Sequence, residues 1–128
     1  VTVIVGAAIV REGALLAQQR AWPDDAAGRW ELPGGRVEPE ESEVDALRRE
    51  CAEELDVDVL VGDRVGPDVA LPGGKVLRIF AAELKSGEPR AVEHRAVRWL
   101  AAGQLGEVDW LPADRELLPE LANLLARP

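Results

Sequence analysis

Glycine 35 is followed at fixed offsets by Glu41, by Arg49-Glu50 and by Glu53-Glu54, and this run constrains the chain more than any other feature. Five residues separate Gly35 from Glu41, and seven separate Glu41 from Arg49. Glu50, Glu53 and Glu54 stand at i, i+3 and i+4, so on a helix they share a side. Like charges at that spacing weaken a helix. A cation is the usual reason to keep them together. A hard divalent ion takes oxygen ligands, and Mg²⁺ is commonly held by few carboxylates together with substrate phosphates. The run therefore points to metal-assisted chemistry on a phosphate compound. A merely solvated acidic face accounts for the glutamates alone equally well, but leaves the glycine, Glu41 and Arg49 unexplained.

The helix can be read locally. Ser42 is a good N-cap, with Asp45 three residues on, close to a capping-box pattern. Val44, Leu47, Cys51 and Leu55 recur at helical spacing as one narrow apolar stripe. The three glutamates are expected beside that stripe, away from the core and facing a cleft. Pro33-Gly34-Gly35 reads as a tight loop, where glycine permits close backbone approach and a bare carbonyl can serve as a metal ligand.

Residues 35–57 resemble the signature of the Nudix hydrolases. That pattern runs Gly, five residues, Glu, seven residues, Arg-Glu, an aliphatic residue, any residue, Glu-Glu, any residue, Gly, an aliphatic residue. Two positions depart from it. Cys51 fills an aliphatic slot, and buried cysteine behaves as a small hydrophobe. Asp56 replaces the helix-ending glycine, and Asp tolerates the left-handed conformation better than most residues. The resemblance implies a single Nudix domain over residues 1–128, an α/β fold built as an α/β/α sandwich around a mixed sheet. It implies an enzyme that hydrolyses a diphosphate linkage with Mg²⁺, or Mn²⁺ as an alternative. Gly35, Glu50, Glu53 and Glu54 become the metal ligands. Glu50 is also expected as the general base, and Arg49 as the group that orients a glutamate. Glu41 is read as a structural partner of Arg49.

Substrate choice must come from outside the signature. Arg20, at the end of a strand, is expected to clamp phosphate, as at the corresponding position of MutT-like enzymes; a guanidinium matches phosphate oxygens in two contacts. Arg29, Arg36 and Lys75 have weaker claims. Trp110-Leu111-Pro112-Ala113-Asp114 looks like the base-recognition loop of MutT-type pyrophosphohydrolases. An ionised Asp114 suits an exocyclic amine such as cytosine N4. A plain helix-capping role for Asp114 stands equally. Leu32, Arg78 and Phe80 are weaker candidates for the base site, and Trp30 and Trp110 read more readily as core. His94, the one histidine, reads as structural, and Glu93 as a further candidate metal contact.

Three stretches, Trp30 to Glu38, Glu93 to Trp99 and Pro112 to Asp114, are together similar to the CTP and dCTP pyrophosphohydrolase branch of the family, including its actinobacterial members. That similarity implies hydrolysis of CTP, dCTP or 5-methylated cytidine triphosphates to the monophosphate and pyrophosphate, a reaction of nucleotide pool sanitation. An oxidised purine nucleotide such as 8-oxo-dGTP, or a nucleotide sugar, is the nearer alternative. A nucleotide-sensing domain without catalysis is the more distant one.

A net charge of −9 disfavours nucleic-acid polymers and anionic membranes as partners, but not a small nucleotide carrying Mg²⁺. One cysteine forms no internal disulfide. No apolar run reaches spanning length and no secretory signal is seen, so a cytoplasmic location is expected. A homodimer is left open. The remaining chain reads as strands at Thr2–Val10, Ala14–Arg20, Val57–Val61, Val65–Leu71, Val76–Leu84 and Val97–Leu100, with a helix after Pro112.

Overall fold

A computed structural model describes residues 1–127. Its elements run β1 (Thr2–Arg11), β2 (Ala14–Gln19), β3 (Trp30–Glu31), β4 (Gly34–Arg36), α1 (Glu43–Leu55), β5 (Asp58–Arg64), β6 (Val69–Leu71), β7 (Lys75–Ser86) and β8 (Ala96–Ala101). A 3-10 helix (Ala102–Glu107), α2 (Pro112–Glu116) and α3 (Leu118–Leu125) complete the chain. The strands join in the order β3-β2-β1-β7-β5, with β4 on β1, β6 on β7 and β8 on β2. β1 and β7 are parallel over Thr2 to Ile9, while the other ladders are antiparallel, so the sheet is mixed.

Alternation along β1 divides the core. Val5, Ala7 and Ile9 join Leu16, Phe80, Ala46, Leu47, Cys51 and Leu55 under α1. Ala8 joins Leu15, Ala17, Leu32, Ile79, Trp110, Leu117 and Leu121 under α2 and α3. Helices cover both faces, as the expected α/β/α sandwich requires. Among the described residues, no helix is long and apolar enough to cross a membrane.

The long strands and the Ser42-capped helix lie where the pattern puts them, and Pro72-Gly73-Gly74 turns β6 into β7. Four details differ. Gly34–Arg36 is not a loop but β4, paired with Ile4 to Gly6 of β1. Gly34 has φ 155°, and a Cβ there would lie 1.9 Å from the Val5 carbonyl oxygen, so only glycine fits. The C-terminal helix is broken at Leu117 (φ −96°, ψ 3°). Pro119 lacks the N–H that would reach Arg115 O and its ring would crowd that carbonyl, so one helix becomes two. In α1, Val44 is 43% exposed, and Glu54 is buried in company with Leu47, Cys51 and Leu55. The apolar stripe is thus rotated toward Glu54, which stands three residues beyond Cys51.

Candidate active site

α1 ends in a left-handed cap at Asp56 (φ 59°, ψ 42°), whose N–H donates to Ala52 O. On its last two turns Glu50 lies against Gly35 of β4, Glu54 against Gly34 and His94, and Glu53 beside Arg49. Their environments differ: the Glu53 side chain is half-exposed, while those of Glu50 and Glu54 are largely buried. Arg49 organises this end of the helix. Its Nε and Nη2 donate to Glu41 at 2.8 and 3.0 Å, and Nη1 donates to Glu50 at 2.9 Å. Nη1 also reaches Glu53 at 3.4 Å, and Nη2 donates to Arg36 O at 3.1 Å. The fork-on-fork contact holds the Glu41 carboxyl down at about 2, with help from the Glu38 amide. Glu41 is thereby the partner of Arg49.

Glycine sets the distance between helix and strand. A Cβ on Gly35 would lie 2.5 Å from the Glu50 carboxyl carbon, so the bare backbone of β4 is what admits this carboxylate. Burial raises the Glu50 pKa, against the pull of Arg49. Glu54 Oε1 accepts from Gly34 N at 2.9 Å. Burial pushes the Glu54 carboxyl up to about 7 despite that bond and His94, and the nearby Glu31 and Glu50 push the same way.

Two residues at this site carry no signal in the spacing of the signature. Glu31 accepts from Arg20 Nη1 at 3.2 Å and faces His94 Nε2 at 2.9 Å. His94 Nε2 lies 3.9 Å from Glu54 Oε2. Arg20, Trp22, Glu54, Glu93 and His94 line a cavity of about 140 Å³. Gln18, the cross-strand partner of Glu31, is fully buried on the same face, and neither of its amide atoms has a protein partner. A period-two reading of Trp30-Glu31-Leu32 could have separated Glu31 from its apolar neighbours, but β3 is only these first two residues long.

The residues expected at the base site do not all meet. Leu32 and Asp114 do: Leu32 N donates to Asp114 Oδ1 at 3.0 Å, and both residues are buried. Burial pushes the Asp114 carboxyl up to about 7. Leu111 is the N-cap of α2 and makes no side-chain bond; Asp114 stands in the first turn of α2, where an acid suits the helix N-terminus, and also ties α2 to the end of β3. Arg78 and Phe80 lie on the opposite, α1 face, because residues two apart on β7 share a side. Phe80 packs under α1. Arg78 donates to Asp68 at 2.9 and 2.7 Å and to Glu43 at 2.6 Å, so its charge is committed to bracing the start of α1. A base site of Leu32 with Arg78 and Phe80 is therefore not formed. Trp110 is core, its indole N–H donating to Leu105 O at 2.7 Å.

The donor set suits a hard divalent cation: it offers oxygen atoms only, and two of the three carboxylates are largely buried. Glu50, Glu53 and Glu54 with the Gly35 carbonyl would hold it. Among the described residues, Glu31, Glu54 and His94 are the one group of three whose possible ligand atoms lie within 4.8 Å of one another. Coordination through Nε2 would move the imidazole proton to Nδ1, which is buried with no protein partner. That group is a poor metal centre.

The NUDIX domain family model matches residues 2–121. The chain is 51% identical over 126 residues to the "Putative 8-oxo-dGTP diphosphatase 2" of Mycobacterium tuberculosis (strain ATCC 25618 / H37Rv), covering 96% of this chain and 89% of that one. It is 37% identical over 128 residues to the CTP pyrophosphohydrolase of Escherichia coli (strain K12), covering 98% and 95%. The crystal structure of a MutT NUDIX hydrolase from Burkholderia pseudomallei superposes with a TM-score of 0.81 at 34% identity, covering 93% and 96%. Matching sequence and fold have one reading: the chain belongs to the NUDIX domain family and is a Nudix hydrolase.

Proposed function

We propose that this hydrolase is a Mg²⁺-dependent nucleoside triphosphate pyrophosphohydrolase that converts CTP, dCTP or a 5-methylated cytidine triphosphate to the monophosphate and pyrophosphate. The observation that carries the phosphate chemistry is the placement of Glu50 and Glu54 against the bare backbone of Gly35 and Gly34, with Glu53 beside them on α1 and Arg20 lining a small cavity with Glu54. The cytidine assignment is supported by the Escherichia coli relative, named a CTP pyrophosphohydrolase, and by Asp114, an acceptor suited to cytosine N4 when ionised.

The residues divide the work as follows. A bound Mg²⁺ supplies charge neutralisation on the phosphate oxygens. Glu50 accepts the proton of the attacking water on its carboxylate; its raised pKa moves it toward the range where a base is effective near neutral pH. Arg49 Nη1 fixes the rotamer of Glu50, and Gly35 gives that carboxylate room. Glu53 and Glu54 are the principal ligands. Arg20 leaves Glu31 to meet a phosphate, two oxygens replacing two oxygens.

A second reading has its own support. The mycobacterial relative is named "Putative 8-oxo-dGTP diphosphatase 2". With its carboxyl at about 7, Asp114 is also available as a donor below neutrality, which suits a purine edge that presents an acceptor. Incubation with Mg²⁺ and a panel of CTP, dCTP, 5-methyl-dCTP, 8-oxo-dGTP and UDP-sugars, with monophosphate and pyrophosphate quantified, separates the two. Preferred turnover of cytidine compounds supports the proposal, and preferred turnover of the oxidised purine replaces it with the second reading.

A further inference from the structure

Glu54 is held on both sides. Its Oε1 is fixed by the Gly34 amide at 2.9 Å. Its Oε2 faces the Glu31–His94 pair, with His94 Nε2 at 3.9 Å. The His94 and Glu54 side chains are only 8% and 10% exposed, so little water screens the contact. His94 Nδ1 is buried without a protein partner, while Nε2 has Glu31 Oε2 at 2.9 Å as its nearest acceptor and Glu54 Oε2 as the next. The arrangement places the ring's one useful N–H between two carboxylates. Without it, Glu31 and Glu54 would face one another with nothing between them, and like charges would drive Glu54 off its rotamer.

We propose that His94, held by Glu31, is a positioning residue that acts through Glu54, keeping that carboxylate aimed at the metal. The imidazole neither ligates the ion nor moves a proton in the reaction. Glu31 serves as the anchor of the imidazole, and in the free protein it also accepts from Arg20. This inference rests on the metal-site reading of α1, and the experiment separates the two failures.

The test is Mn²⁺ binding to the free protein, measured by electron paramagnetic resonance without nucleotide. Removal of a group that orients a metal ligand typically costs about 10–100-fold in metal affinity. His94→Leu, which has no donor, should weaken Mn²⁺ by about tenfold, and His94→Gln, which keeps an N–H, should recover most of that loss. In a Glu54→Gln background, adding His94→Leu should change Mn²⁺ affinity no further, because the effect travels through Glu54. Thermal melting of each variant separates loss of fold from loss of positioning. Equal Mn²⁺ affinity in His94→Leu and wild type overturns the inference, and so does an equal loss in both backgrounds. If wild type binds Mn²⁺ and Glu53→Gln and Glu54→Gln bind it equally well, the metal-site reading itself fails.

Discussion

Two adjacent glycines have different duties, and substitution separates them. A Cβ on Gly34 meets the Val5 carbonyl oxygen at 1.9 Å, backbone against backbone, with no way to give. Gly34→Ala should cost about 3 kcal/mol or more of stability, seen as a lower denaturant midpoint. A Cβ on Gly35 meets the movable carboxylate of Glu50. Gly35→Ala should fold nearly as well as wild type and lose about 10²-fold in kcat, the scale of an ångström's displacement of a reacting group. Near-normal turnover of Gly35→Ala would show that the Glu50 carboxylate need not lie there. Glu50→Gln should lower kcat by about 10²–10⁴-fold with the fold intact. Asp114 bears on pH. Its carboxyl rises from 3.8 unfolded to about 7 folded, so the folded state holds the proton more tightly. Stability is then greatest below about 3.8 and falls as pH rises toward about 7, where the loss levels off. Asp114→Asn keeps an acceptor for Leu32 N–H without the charge. Its stability relative to wild type should increase between pH 4 and 7 in urea melts; a constant difference would place the proton elsewhere.

At the scale of elements, α1 was the most legible part of the molecule because its signals are local. Ser42 Oγ accepts from Asp45 N at 3.0 Å, as the cap pattern requires. Ser42→Ala should cost about 1 kcal/mol. Asp56 sits at φ 59°, a conformation that favours glycine. Asp56→Gly should therefore hold or raise the melting temperature, and Asp56→Val should lower it, a β-branched residue being worst suited there. A higher melting temperature for Asp56→Val would remove the strain argument. The same local reading failed where long-range pairing decides. β3 and β4 are two and three residues long, too short for alternation to register, and exist because β2 and β1 offer partners. Pro119 carried the break between α2 and α3 in plain view, but the leucine spacing around it reads as one continuous helix.

Across the whole molecule, the acidic half of the site was legible because Gly35, Glu41, Arg49, Glu50, Glu53 and Glu54 lie within one short run from β4 through α1. The mutual placement of Arg49, Glu50, Glu53 and Glu54 follows from helical spacing alone. The other half comes from strands distant in sequence. Glu31 and His94 meet only because β2 carries β3 on one side and β8, which follows His94, on the other. Arg78 and Leu32 were grouped as base contacts, yet the sheet puts them on opposite faces, a fact fixed by register and invisible to composition. The carboxylates of α1 remain the centre of the account. The most direct measurement is release of monophosphate and pyrophosphate from CTP with saturating Mg²⁺, comparing wild type with the double variant Glu53→Gln, Glu54→Gln. Turnover in wild type and a loss of at least about 10²-fold in the double variant, on the scale of a lost catalytic group, is the result predicted. Undiminished turnover in a folded double variant would contradict it.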